Sequence, residues 1–242
     1  MPTGPNARGA VRSPRGEPPG ARMTVDPPPA PVEPPPSDIE LVLFDLGGVL
    51  IEVPGVEAMI ELTGIETAEE VWRRWLSCRW VRLFESGRCS EADFAAGLIE
   101  DWKLPISEDD FLDSFGSWAT KPIAGAEDLV SETADAVAVG CLSNTNALHW
   151  EQQLSRWPMM KLFGHIFLSF QTGFVKPDRR AFDHVVSAAC VEADRILFLD
   201  DNLINVEAAR QAGIRAVHTA GVEHARKHLH EAGVLPTRCP DV

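Results

Sequence analysis

The sequence predicts an α/β fold: a Rossmann-like parallel sheet flanked by helices, with a small helical domain inserted after the first strand. Three observations lead there. Five short apolar runs, at residues 39–44, 137–142, 166–170, 196–199 and 214–217, have the length and low charge of strands covered on both faces. Amphipathic helices separate the later runs: Phe182, Val185, Val186 and Ala189 follow the i, i+3, i+4, i+7 spacing, and Val206, Ala209 and Gly213 repeat it more weakly. Residues 53–122 break this alternation with helical patterns only. Strand–helix alternation implies right-handed crossovers, and ligands of such sheets bind beyond the carboxyl ends of the strands.

The elements follow in chain order. Residues 1–38 carry 12 of the 19 prolines, seven of them between Pro27 and Pro36, and few large apolar side chains. Such a segment buries too little apolar area to offset its ordering entropy, so a disordered, locally polyproline-II tail is expected, with a PxxP ligand role as a lesser alternative and Met23 as a second candidate start. The α/β core is assigned to 39–52 and 123–242, the helical insert to 53–122. Pro54-Gly55 opens the insert and Lys121-Pro122 closes it. Within it Trp72, Trp75 and Leu76 are expected to share a face. Ser90-x-x-Asp93 and Ser107-x-x-Asp110 resemble capping boxes with Asp in place of Glu, and Phe111, Phe115 and Trp118 form a stripe.

Composition narrows the function. The 242 residues carry 36 Asp+Glu against 22 Lys+Arg, a net charge of −14, and four arginines offset four acids in the first 38 residues. The excess acid therefore belongs to residues 39–242, where it disfavours nucleic-acid phosphates and anionic membranes. No apolar run approaches the ~20 residues that span a bilayer. Five widely spaced cysteines without a CxxC pair suit a reduced, cytoplasmic protein. His224 and His228, at i, i+4 spacing, are expected to be exposed helix residues rather than a metal site.

Four polar motifs stand at the ends of predicted strands. Asp45 ends the first, and Gly47 and Gly48 after it allow a sharp turn and close approach to a ligand; alone, Asp45 reads equally well as a turn cap. Ser143 and Asn144 end the second, where a hydroxyl and N–H groups ahead of a helix suit an anion, although a simple N-cap has the same appearance. Lys176-Pro177-Asp178 places a fixed cation ahead of a helix whose first turn would accept Pro177. Asp200 and Asp201 repel each other unless a hard divalent cation lies between them and another acid, and Asn205 follows where it can orient that loop.

Together, in the order Asp, Ser, Lys, Asp-Asp, the motifs are far more specific than singly. FDLGGVL, CLSNTN, KPDRRAF and FLDDNLINVEAARQAG resemble the four motifs of the haloacid dehalogenase-like hydrolase superfamily, over residues 39–220, and the insert resembles that family's first-type helical cap. The resemblance implies Asp45 as a nucleophile that forms an aspartyl-phosphate. It implies Mg²⁺ held by Asp45, the Gly47 carbonyl, Asp201 and Asp200, and phosphoryl oxygens held by Ser143, the Asn144 N–H and Lys176. Lys176 would also pair with Asp45. One position departs from the pattern: the usual acid two residues after the nucleophile is Gly47 here. General acid–base groups typically contribute ~10²–10⁴-fold, so either the leaving group departs unassisted or a water or cap residue substitutes. A DLGG-type branch similar to sugar-1-phosphate phosphatases shares this glycine.

The expectation is a Mg²⁺-dependent phosphomonoester hydrolase acting on a small phosphorylated metabolite, sugar phosphates included, as a monomer or homodimer with no nucleic-acid or membrane partner. Two alternatives stay open: a metal-independent haloacid dehalogenase using the same Asp45, and a non-catalytic, regulatory phosphoryl-ligand binder. In the cap, Arg79, Trp80, Arg82, Glu85 and Arg88 are candidate substrate contacts, and the sequence does not say which of them face the site.

Overall fold

The computed structural model describes residues 37–118 and 121–236. The expected polyproline tail lies outside them except for its last two residues. The first strand, β1 (Leu41–Phe44), is followed by β2 (Ile51–Glu52) and five helices: α1 (Gly55–Thr63), α2 (Ala68–Ser77), α3 (Arg79–Glu85), α4 (Glu91–Trp102) and α5 (Glu108–Gly116). The chain returns through β3 (Lys121–Pro122), antiparallel to β2. Then come α6 (Ala126–Ala134), β4 (Ala138–Ser143), α7 (Ala147–Gln152), β5 (His165–Leu168), α8 (Ser169–Thr172), α9 (Arg179–Ala189), β6 (Ile196–Asp200), α10 (Leu203–Gln211), β7 (Arg215–His218) and α11 (Gly221–Glu231).

The five longer strands form one parallel sheet in the order β5-β4-β1-β6-β7. β1 is central, and its side chains alternate between two cores. Leu41 and Leu43 pack with Phe182, Val185, Val206 and Ala209 of α9 and α10. Val42 and Phe44 pack with Leu129 and Val130 of α6 and Val222 and Leu229 of α11. All four β1 residues are fully buried, which explains an uninterrupted apolar run with no polar alternation. β5 is an edge strand, so Ile166 is 37% exposed although it falls in an expected core run. That strand also stops at Leu168, because Ser169 begins α8.

The helices α1–α5 gather around their own aromatic cluster. Trp75, Phe84, Phe94, Phe111, Phe115 and Trp118 are buried together with Val71, Val81 and Leu98. The Phe84 and Phe94 rings stack with centroids 4.4 Å apart. The expected shared face of α2 is corrected here: Trp75 is buried, whereas Trp72 and Leu76 are each 42% exposed. The buried stripe is Val71, Trp75 and Cys78, at i, i+4, i+7, which turns positions 72 and 76 outward. Ser90 and Ser107 do cap α4 and α5, accepting from the N–H of Asp93 and Asp110. The reciprocal contact differs from a full capping box: each serine hydroxyl donates to the aspartate carboxylate, at 2.7 and 2.6 Å. α5 meets α7 through the His149 Nε2–Phe115 O contact (2.7 Å) and the Gln153 Nε2 donation to Gly116 O (2.8 Å).

Candidate active site

Parallel pairing sets the ends of β1, β4 and β6 side by side: Phe44 is in register with both Cys141 and Leu199. One residue further along β1 and β6 stand Asp45 and Asp200, and two further along β4 stands Ser143, so all three emerge at one rim. All three are buried, as is Lys176 at 3% exposure. Lys176 arrives from the loop after α8, and its Nζ lies 3.0 Å from Asp45 Oδ2 and 2.6 Å from Asp200 Oδ2. A buried ammonium thus bridges two carboxylates from neighbouring strand ends. Burial disfavours its charge, but the Asp200 and Asp45 carboxylates outweigh that and hold it above the usual lysine range.

Each acid has its own setting. Asp45 Oδ1 accepts from the Leu46 N–H at 2.7 Å. Asp200 Oδ1 accepts from the Asn202 N–H at 2.8 Å, and Asn205 Nδ2 reaches both Asp200 oxygens at 3.1 Å. Asp201 is more exposed and packs on the turn after β1. There Gly48 adopts φ 69°, and an added Cβ would lie 2.0 Å from Asp201 Oδ2, so only glycine serves. The turn is closed by the Gly48 N–H to Ile51 O and the Ile51 N–H to Leu46 O; the Gly47 carbonyl takes no part in that bridge.

Oxygens of Asp45, Asp200 and Asp201 all lie within 4.8 Å of one another, the one group among the described residues suited to a metal ion. The cluster holds three carboxylates against one ammonium. Burial, offset in part by Lys176 and reinforced by Asp200 and Asp201, raises the Asp45 carboxyl well above its ordinary range. Burial and then Asp200 push Asp201 up to about 6. Such crowding is what a hard dication relieves, and all-oxygen donors suit Mg²⁺. His224 and His228 belong to no such group; His228 Nδ1 lies 3.1 Å from Glu231 Oε2.

Two placements differ from the sequence reading. Pro177 is not in the first turn of α9: the Lys176–Pro177 bond is cis, and Asp178 is the N-cap, accepting from the Arg180 N–H at 3.0 Å. The Asn144 side chain has a task that the sequence did not suggest. Its Oδ1 accepts from the Lys176 N–H (2.8 Å) and its Nδ2 donates to the Lys176 carbonyl (3.0 Å), bracing the backbone that carries the ammonium. Ser169 does similar work, receiving the Thr145 N–H (3.0 Å) and donating to the Thr145 carbonyl (2.9 Å). No local pattern marks either residue, because both partners lie far away in the chain.

A cleft of about 330 Å³ opens where α3 meets the loop before Lys176. Arg79, Arg82, Arg88 and Arg180 line it with Val175 and Asp178. Asp178 is the lining's only carboxylate, and Arg180 engages it at 2.5 Å. A chain of net charge −14 thus presents a basic mouth one residue from Lys176. A second hollow, about 380 Å³, is bounded by α2, the turn after it and α4, and its Arg74 is committed to the Asp101 carbonyl and the Trp102 ring.

A family model described as hydrolase, haloacid dehalogenase-like hydrolase, matches residues 39–213. The chain is similar to the sesquiterpene phosphatase astK of Aspergillus oryzae, with 29% identity over 168 residues, 68% of this chain and 81% of that one. It is similar to a HAD family enzyme of Bacteroides thetaiotaomicron solved with magnesium and inorganic phosphate (25% identity, TM-score 0.61, covering 75% of this chain and 94% of the other). A HAD-like hydrolase of Porphyromonas gingivalis shares the fold, at 22% identity and TM-score 0.65, over 81% of this chain and 98% of that one.

Proposed function

This chain belongs to the haloacid dehalogenase-like hydrolase family, and we propose that it is a Mg²⁺-assisted phosphatase acting through Asp45 on phosphate monoesters of small organic alcohols. One observation carries the reading: Asp45, Asp200 and Asp201 converge around the Lys176 ammonium at the rim where Ser143 also emerges. Asp45 is the nucleophile in this reading, since a carboxylate that attacks phosphorus splits hydrolysis into two easier steps. Asp45, Asp201 and the Gly47 carbonyl would hold Mg²⁺. Asp200, already accepting from Lys176, Asn202 and Asn205, supports them as a further ligand or by steadying Lys176. When bound, the metal would offset the repulsion between nucleophile and phosphoryl group. Ser143, the Asn144 N–H and Lys176 would hold phosphoryl oxygens, and the arginine-lined mouth suits an anionic substrate.

The A. oryzae relative's name directs attention to terpenoid phosphates, and the DLGG turn to sugar phosphates. The test is phosphate release from a panel holding both classes, with Mg²⁺ and with chelator, against Asp45→Asn. Chelator-sensitive release that Asp45→Asn abolishes is expected. Release equal to that control rejects the reading, and halide release that survives chelation would replace it with dehalogenation. The cap assignment, 53–122, enters as part of the same proposal: the α1–α5 cluster covers the rim and selects the alcohol.

A further inference from the structure

Gly47 leaves the departing ester oxygen without a proton source on the turn after β1, and α3 brings a carboxyl group within electrostatic reach of Lys176. α3 ends at Glu85, where the chain presses on the core. At Gly87 (φ 68°) an added Cβ would lie 2.5 Å from the Phe170 carbonyl oxygen, and Arg88 Nη2 donates to the Gly173 carbonyl at 3.3 Å. Both anchor points belong to the stretch that leads into Lys176. The Glu85 carboxylate is hydrogen-bonded by the Trp75 indole of α2 and lies within electrostatic reach of Lys176 from the core and of Arg82 on its own helix. Lys176 in turn holds Asp45 and Asp200 at 3.0 and 2.6 Å.

We propose that Glu85 is the general acid and base that position 47 lacks. This rests on the phosphatase reading. In the first step an Asp45 oxygen bonds to phosphorus as the bond from phosphorus to the ester oxygen breaks, and the Glu85 carboxyl proton passes to that oxygen, releasing a neutral alcohol. In the second, the Glu85 carboxylate takes a proton from a water whose oxygen bonds to phosphorus. The bond from phosphorus to Asp45 breaks, freeing inorganic phosphate and the Asp45 carboxylate. Ester and water become alcohol and phosphate, and both carboxyl groups return to their starting states. Burial pushes the Glu85 carboxyl up to about 7, outweighing Lys176, Arg82 and the Trp75 indole, so near neutrality it can both give and take a proton.

The experiment uses the full chain with Mg²⁺ and two substrates, an alkyl phosphate and p-nitrophenyl phosphate. Glu85→Gln keeps an acceptor for the Trp75 indole, so the packing survives while the proton is lost. Turnover of the alkyl ester is expected to fall ~10²-fold or more. The aryl ester, whose leaving group needs no proton, should give a burst of about one nitrophenolate per chain followed by slow turnover. In the unmodified chain the alkyl-ester kcat/KM should decline as pH rises through about 7, as Glu85 loses its proton, and Glu85→Gln should abolish that decline. Adding Gly47→Asp to Glu85→Gln should restore turnover; a Cβ at 47 meets only the Val53 side chain, at 3.3 Å. An active parent with Glu85→Gln within threefold on both esters overturns the inference and leaves the phosphatase reading intact. Equal loss on both esters, with no burst and no restoration, overturns it as well. An inactive parent overturns the phosphatase reading itself, and the inference with it.

Discussion

The rim of the sheet and the α3 region both carry charge, but they are built on different terms. At the rim, Asp45, Ser143 and Asp200 are fixed by parallel register, and Lys176 is buried between two acids. In the helical insert, Arg79, Arg82, Glu85 and Arg88 sit on or just past one short helix, α3, and the arginines are exposed. A strand end leaves a polar residue little choice of surroundings, whereas a helix face offers water as an alternative. The rim positions are thus set by strand register, and those on α3 by how one short helix docks.

That contrast can be broken at several points. The largest expected effect is Asp45→Asn, which should lower phosphate release on the order of 10⁴-fold or more in a steady-state assay. Lys176→Met comes next: it leaves Asp45 and Asp200 facing each other without their cation, a loss of about 3–5 kcal/mol that denaturant unfolding would show. Added Mg²⁺ should recover part of that loss, which distinguishes electrostatic repulsion from a packing defect. Mg²⁺ affinity by calorimetry should weaken up to about tenfold per pH unit below about 6, because Asp201 must lose its proton to bind. The sign reverses for the metal-free fold. Its Asp201 is raised from the ordinary 3.8 to about 6, so that contribution to stability is complete below 3.8 and lost as pH rises through about 6. Arg82→Ala should raise KM roughly fivefold, equivalent to about 1 kcal/mol, with kcat nearly unchanged. Smallest of all, Trp72→Gln should stay within about 0.5 kcal/mol of the parent, whereas its neighbour Trp75→Ala should cost about 3–5 kcal/mol.

Much of the rim was legible in the residues because Asp45, Ser143 and Asp200 each end an apolar run of strand length, whereas Lys176 arrives from the loop after α8. The 39–44 and 196–199 runs fix where Asp45 and Asp200 must emerge, and two adjacent acids there call for a cation. Other parts lacked such a signal. The 166–170 run looks the same on an edge strand as in the middle of a sheet, so the exposure of Ile166 is a property of strand order, not of composition. Trp72 and Leu76 were misplaced because tryptophan and leucine suggest burial, while the phase of α2 follows Val71, Trp75 and Cys78. Glu85 was visible as a charged residue in the cap. Its proximity to Lys176 depends on how α3 docks, which no spacing encodes.

The brace across 32 residues has an implication for what position 144 will tolerate. The Lys176 peptide offers it one hydrogen and one lone pair, so the occupant must give and take at once. Aspartate would take but could not give, and would turn a negative oxygen toward the Lys176 carbonyl. Serine is too short to span both groups. A primary amide on a single methylene answers the geometry, so this position filters substitutions by donor–acceptor polarity together with side-chain length.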